Sequence, residues 1–272
     1  MISAFLALCA CVLMSAAWFM LWQSAIRTGS TDPSPRGTFL LIAGITAQIG
    51  LLVWIQDRQI LPSFDFKTAS LVIGLTMVGS IMLLSIFPRF HALQLLVLPV
   101  NIAALIFAMA SPNTNALHQQ NIGLYGGGMA LHIILSILAY SFISLAFLQA
   151  CLLFFQDRQI KKHNLDGALR FVPPLQTMEQ MMFDLVLVGI VLLSGAILTG
   201  VIFIDDIMAQ HLAHKTVFSF LSLGIFTTLY VGRKLRGWRG SKAIAWCFAG
   251  FIALMLAYFG TKFVLEILLN QS

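Results

Sequence analysis

Two histidines in strongly apolar surroundings carry the most chemical information in this 272-residue chain. His132 lies just inside the start of the apolar stretch Met129–Phe155, and His214 stands at the entrance of the stretch Lys215–Tyr230. Imidazole nitrogen is a good ligand for iron, copper and zinc. Two imidazoles arriving from separate elements can hold a metal ion, or a haem iron from both sides. An ionisable side chain is costly at membrane depth, so one that persists there is a functional candidate. His132 is flanked by Leu131, Ile133 and Ile134 and therefore needs a polar partner. Ser136 and Tyr140 follow it at four-residue steps and share its helix face. A hydroxyl there can orient the imidazole, meet a haem propionate, or pack against a neighbouring helix. His211 precedes His214 by three residues and is a second candidate ligand. Lys215 follows His214 at once and reads as an interfacial anchor or as a cationic partner for a propionate. His118 and His163 lie in polar stretches and read as loop residues.

The elements that must position these residues are membrane spans. The chain is 59% hydrophobic and only 10% charged, with mean hydropathy +0.92, whereas soluble domains carry about 25% charged residues. A helical span takes roughly 20 mainly apolar residues. Eight runs qualify: Ile2–Trp22, Gly37–Trp54, Thr68–Phe87, Ala92–Ala110, Met129–Phe155, Met182–Ile204, Lys215–Tyr230 and Ala243–Leu269. These runs are continuous and far longer than barrel strands. The expected fold is all-α: a polytopic membrane helical bundle of about eight transmembrane helices, forming one integral membrane domain over residues 1–272. The first span has no basic residue before it and reads as a retained span rather than a signal peptide.

Charge gives the expected orientation. Twelve of the sixteen Lys and Arg residues follow spans one, three, five and seven: Arg27, Arg36, Arg89, Arg158, Lys161, Lys162, Arg170, Arg233, Lys234, Arg236, Arg239 and Lys242. The positive-inside rule places those connections in the cytoplasm and both termini outside. His132, His211 and His214 then share the outer face. The net charge of +6 follows from this asymmetry, and no folded basic face for nucleic acid is visible.

Other signals are negative or local. Cys9, Cys11, Cys151 and Cys247 form no C-x-x-C pair and no C-x-x-C-H motif, so any haem would be held without thioether bonds. No phosphate loop, dinucleotide fingerprint, zinc-protease motif or nucleophile elbow occurs, and no catalytic residues are assigned. Asp184 reads as interfacial, and Lys262 and Glu266 as a pair within span eight. Pro99 is expected to kink span four, with Asn101 nearby to repair the freed backbone group. Gly74, Gly79, Gly195 and Gly200 predict close helix approach, and Gly126-Gly127-Gly128 a tight turn into span five.

The segment from His132 to Tyr140, continuing through Gln149 to Phe154-Phe155-Gln156-Asp157-Arg158, resembles a helix of the cytochrome c assembly (haem-handling) membrane proteins. His214-Lys-Thr-Val-Phe-Ser219, the stretch Gly232-Arg-Lys-Leu-Arg-Gly-Trp-Arg-Gly240 and Tyr258-Phe259-Gly260 are similar to the segment after that family's outer loop. Pro173-Pro174-Leu175 leading to Met178-Glu179 is similar to the YpjD/HemX-like branch. The resemblance covers about residues 125–265, and residues 1–110 match only by hydropathy. It implies a multi-pass protein of the bacterial inner membrane that holds or handles haem b, non-covalently, near the outer face, with His132 as an axial ligand. Implied partners are the lipid bilayer, other membrane proteins and components of cytochrome c assembly, with no nucleic acid. The chain departs from the family where a Trp-rich loop with a Trp-Asp-Pro motif is expected: Asp205 to His214 contains no Trp. A further family histidine falls near Val231, and another, placed after the last span, has no counterpart in Leu269–Ser272. The alternative is a haem-free membrane scaffold that regulates a partner membrane protein.

The orientation has a direct test. A reporter active only in the cytoplasm is expected to work when fused at Asn164 and to fail when fused at Gln210. The reverse pattern would overturn the outer placement of His132 and His214.

Overall fold

The computed structural model describes residues 2–29, 31–57, 66–110, 127–161, 172–203 and 210–257. Eight helices follow one another, with no strand among the described residues: α1 (Ile2–Thr28), α2 (Pro35–Asp57), α3 (Phe66–Leu84), α4 (His91–Ala110), α5 (Gly127–Lys161), α6 (Leu175–Phe203), α7 (Gln210–Arg236) and α8 (Gly240–Met255). A 3-10 turn, Pro88–Phe90, joins α3 to α4. Helix is the form that satisfies every backbone group within its own segment, which lipid demands. Six of the helices are long and apolar enough to cross a membrane, while the described apolar parts of α3 and α8 are shorter. The chain is an all-α helical membrane bundle. Each expected span corresponds to one helix, but several ends differ. The sixth helix begins at Leu175 rather than Met182, and the seventh at Gln210 rather than Lys215.

The described chain forms two compact units, α1–α4 and α5–α8. In each, the first helix packs on the second and the fourth, and the second and third also touch. Every Lys or Arg side chain described in the first unit belongs to one end of it: Arg27, Arg36 and Arg89. The same holds in the second unit for Arg158, Lys161, Arg233, Lys234, Arg236, Arg239 and Lys242.

In the first unit, α1 presents a stripe of mostly small buried residues, Ala7, Ala10, Met14, Ala17, Leu21 and Ala25, at helical spacing. Small residues let backbones approach closely, which is how helices gain packing energy where lipid removes the hydrophobic drive. Polar side chains finish the job. Gln48 of α2 and Asn101 of α4 exchange amide hydrogen bonds at 3.3 and 3.0 Å. Gln48 also donates to the Leu71 carbonyl of α3 at 3.1 Å, and Asn101 to the Met14 sulfur of α1 at 3.0 Å. All four helices therefore meet at one buried polar knot.

Pro99 lies inside α4 and cannot bond the carbonyl four residues back, that of Leu95. Asn101 was expected to make the repair and does not, because its amide is engaged in the knot. Trp18 of α1 makes it instead, its indole N–H donating to the Leu95 carbonyl at 3.0 Å. Removing that donor with Trp18→Phe should destabilise the protein by about 1 kcal/mol. The loss should shrink in a Pro99→Ala background, where a main-chain N–H again reaches Leu95. A double-mutant cycle of thermal unfolding in detergent checks this, and equal losses in both backgrounds would refute the repair.

Candidate functional site

The second unit is organised by the antiparallel pair α5 and α6. A Cβ on Gly189 of α6 would lie 2.6 Å from Ile143 of α5, and one on Gly200 would lie 3.0 Å from the His132 ring. Both distances are too short for a real side chain to be added without movement. Gly195 meets Leu135 in the same way at 3.3 Å, and Gly128 of α5 lies against the Phe203 ring. Gly128 thus serves helix approach inside α5 rather than an entry turn, and Gly126 lies outside the described residues. Gly74 meets Asn101, as expected of a close approach, but Gly79 faces open space. Gly189, the tightest contact near the middle of the pair, carries no sequence signal that separates it from Gly79.

His132 sits near the start of α5, half-buried in the cradle that Gly200 leaves open. Its Nδ1 lies 2.7 Å from the Ala196 carbonyl of α6. A carbonyl can only accept, so Nδ1 carries the proton and donates. Thr199 completes the surroundings, its hydroxyl 3.5 Å from Nδ1 and bonded to the Gly195 and Ala196 carbonyls at 2.8 and 3.0 Å. A proton fixed on Nδ1 leaves Nε2 with the lone pair. This arrangement orients an imidazole that binds metal through its other nitrogen, and it also satisfies a histidine that merely packs.

The remaining predicted residues divide. Tyr140 donates its hydroxyl proton to the Leu254 carbonyl of α8 at 3.0 Å, so it joins α5 to α8 instead of meeting His132 through that proton. His211 and His214 fall in the first turns of α7, where an outer loop was expected. Their three-residue spacing on a helix puts them on one face. The start of α5, the end of α6 and the start of α7 lie at the same end of the unit by antiparallel succession. The side chains of His211, His214 and Lys215 lie outside the described residues, as do His118, His163, Lys262, Glu266 and Tyr258-Phe259-Gly260. No group of three or more metal-ligating side chains occurs among the described residues.

The opposite end of the unit is locked by Glu179, which the charge pattern did not single out. Its side chain is buried, and its carboxylate accepts from Arg239 Nε at 2.9 Å and from the Gly240 N–H at 2.6 Å. Gly240 opens α8, so the carboxylate also occupies the positive end of a helix. Gly237 makes the preceding turn possible with φ +65°, and its N–H caps α7 at the Arg233 carbonyl, 3.1 Å away. The Met178-Glu179 and Gly-Trp-Arg-Gly segments, distant in sequence, are thus two halves of one contact.

The sequence matches the cytochrome C assembly protein family over residues 64–269, well over half of the chain. The chain belongs to that family. It is 32% identical to the inner membrane protein YpjD of Escherichia coli K12 over 141 residues, 52% of this chain and 53% of the relative. It is 29% identical over 150 residues to an uncharacterized 28.8 kDa protein of Azospirillum brasilense, covering 54% and 55% of the two chains. Protein HemX of Bacillus subtilis is 26% identical over 160 residues, 56% of this chain and 58% of the relative. Each match spans about half the length of the relative. The resemblance to the YpjD/HemX-like branch is borne out, and the family match extends it back through α3 and α4. No solved structure matches. The apolar helices and the inner membrane relative make this a multi-pass protein of the bacterial inner membrane.

Because Gly200 sets the space for the imidazole, Gly200→Ala should push the ring away from Ala196 and Gly200→Leu should separate the ends of α5 and α6. The graded loss of thermal stability, small for Ala and larger for Leu, is the expected reading. Equal tolerance of both would show that the cradle is not tight.

Proposed function

We propose that this cytochrome c assembly family protein holds haem b, non-covalently, at the end of the second unit where α5 begins, close to the outer membrane face. His132 is one axial ligand, His214 the other, and His211 the substitute for His214. The observation that carries this reading is the Nδ1–H bond from His132 to the Ala196 carbonyl, which leaves Nε2 as the coordinating atom. The Gly200 cradle fits the same role, because it holds the ring at a fixed place between two helices. Bound haem would supply an iron centre that accepts two such nitrogens. The chain itself supplies the orientation of the ring. Lys215 is the proposed partner for a propionate. Tyr140 contributes by tying α5 to α8. The outer placement rests on the distribution of basic residues. Components of cytochrome c assembly, or other membrane proteins, are the proposed partners.

The visible spectrum of the purified protein decides between this reading and the haem-free scaffold. A Soret band is expected, and it should be lost or shifted by His132→Ala and by His214→Ala, with the variants still inserted in the membrane. His163→Ala should leave it unchanged, and Lys215→Ala should weaken haem retention modestly. Absence of a Soret band from protein made with ample haem favours the scaffold, a reading to which the Trp-free segment Asp205–His214 also belongs. Unchanged spectra in both histidine variants would reject the ligand pair.

A further inference from the structure

Arg233 continues the buried stripe of α7. Ser222, Phe226 and Leu229 are fully buried along that helix, and Arg233 stands one turn further on. Its guanidinium lies over the Phe183 ring of α6, 4.0 Å from the centroid. A ring face attracts a cation but supplies no oxygen to the N–H donors at the edge of the guanidinium. Nη1 is shielded from solvent and has no hydrogen-bond acceptor among the described residues. A buried N–H without an acceptor is costly, and more so on a charged group. Arg233 is therefore short of an acceptor, and the best acceptor for a guanidinium is an anion.

The described part of the second unit has no such anion to spare. Three carboxylates are described on its helices. Asp157 accepts from Lys161 at 2.6 Å, Glu179 is held by Arg239 and the Gly240 N–H, and Asp184 is likewise engaged. Meanwhile Arg158, Lys234, Arg236 and Lys242 bring four more cations to the same end. The contacts seen for three of them are aromatic: Arg158 lies over Phe154 at 4.2 Å, Lys234 over Tyr230 at 5.8 Å and Lys242 over Trp238 at 4.1 Å.

The apolar flanks say where the anion comes from. Leu235, between Lys234 and Arg236, is 80% exposed, and it continues the exposed line of Val217, Leu221 and Val231 along α7. An apolar side chain between two cations at the end of a span suits the level where acyl chains meet headgroups. Trp238 and Trp246 pair beside it, with ring centroids 5.2 Å apart, and indoles favour that same level. A soluble anion would gain nothing from these apolar groups.

We infer that the end of the second unit where α7 turns into α8 is a binding site for the phosphodiester of an anionic phospholipid. Arg233 is the central donor, because a guanidinium matches phosphate with paired N–H groups. Its side chain is half-buried rather than sealed, and turning toward the open side gives Nη1 the acceptor it lacks. Lys242 supplies a second charge from the far side of the turn. The acyl chains lie along the exposed face of α7, beside Leu235. This site stands apart from the proposed haem site, which lies at the opposite end of the unit.

The test is native mass spectrometry of the full-length protein in a neutral detergent, titrated with phosphatidylglycerol or phosphatidylcholine. Phosphatidylglycerol should be retained about tenfold more tightly. Arg233→Gln should remove that preference, a loss of about tenfold. Lys161→Gln removes the same charge from the same end, but from a residue already paired with Asp157, and should leave the preference intact. Should Arg233→Gln fail to insert, Lys242→Gln is the second variant, with an expected loss of about fivefold. Equal losses in Lys161→Gln and in the tested variant would show diffuse attraction to charge and overturn the inference. So would equal retention of the two lipids. Displacement of phosphatidylglycerol by millimolar inorganic phosphate would overturn it as well, by assigning the site to a soluble anion.

Discussion

The bundle depends on side-chain donors that cross from one helix to a backbone carbonyl of its neighbour. Trp18 reaches Leu95, Gln48 reaches Leu71, His132 reaches Ala196, Gln149 reaches Met178, Ser222 reaches Gly250 and Tyr140 reaches Leu254. In lipid, apolar faces gain little by meeting each other, since the tails are as apolar as they are. Polar atoms at that depth have no water to fall back on. Each cross-bond is worth only about 1 kcal/mol or less, so no single one holds the fold. What they provide is register: each works only when two helices are at one height and rotation.

Small residues make those bonds reachable. Gly200 lets α5 come close enough for His132 to find the Ala196 carbonyl, and Gly189 keeps the pair close further along. On α8, a Cβ on Gly250 would lie 2.7 Å from the Phe226 ring, and the Gly250 carbonyl there accepts from Ser222 at 2.9 Å. Close packing and polar bonding are therefore one feature in this protein. The functional candidate is built from it: the bond that fixes His132 is of the same kind as those that fix structural side chains.

The two ends of the second unit are asymmetric. One end holds His132 and its cradle, with no charged side chain among the described residues there. The other holds Glu179, Arg239 and the capped turn between α7 and α8. A buried carboxylate bound to both a guanidinium and a helix N-terminus is a rigid joint. It fixes α6 against the turn and so constrains where α7 starts, at the far end, with His211 and His214 in its first turns.

Hydropathy by itself determined that the chain is a helical membrane bundle, and it located each of the eight helices. Lipid leaves no other way to satisfy so long an apolar backbone. It also marked His132 as needing a partner, because an imidazole between Leu131 and Ile133 cannot be left bare. Tertiary structure decided the rest. Hydropathy misses polar first turns, so the early starts of α6 and α7 were invisible, and with them the helical setting of His211 and His214. The repair at Pro99 was assigned to Asn101 by sequence proximity, but a side chain 77 residues away makes it. Gly79 and Gly189 are the same residue in similar apolar runs, and only the neighbour across the gap gives one of them a reason to be glycine. Apolar periodicity reports the environment of a segment. Which atoms meet across two helices depends on height and rotation, and those are fixed only when all the cross-bonds are satisfied together.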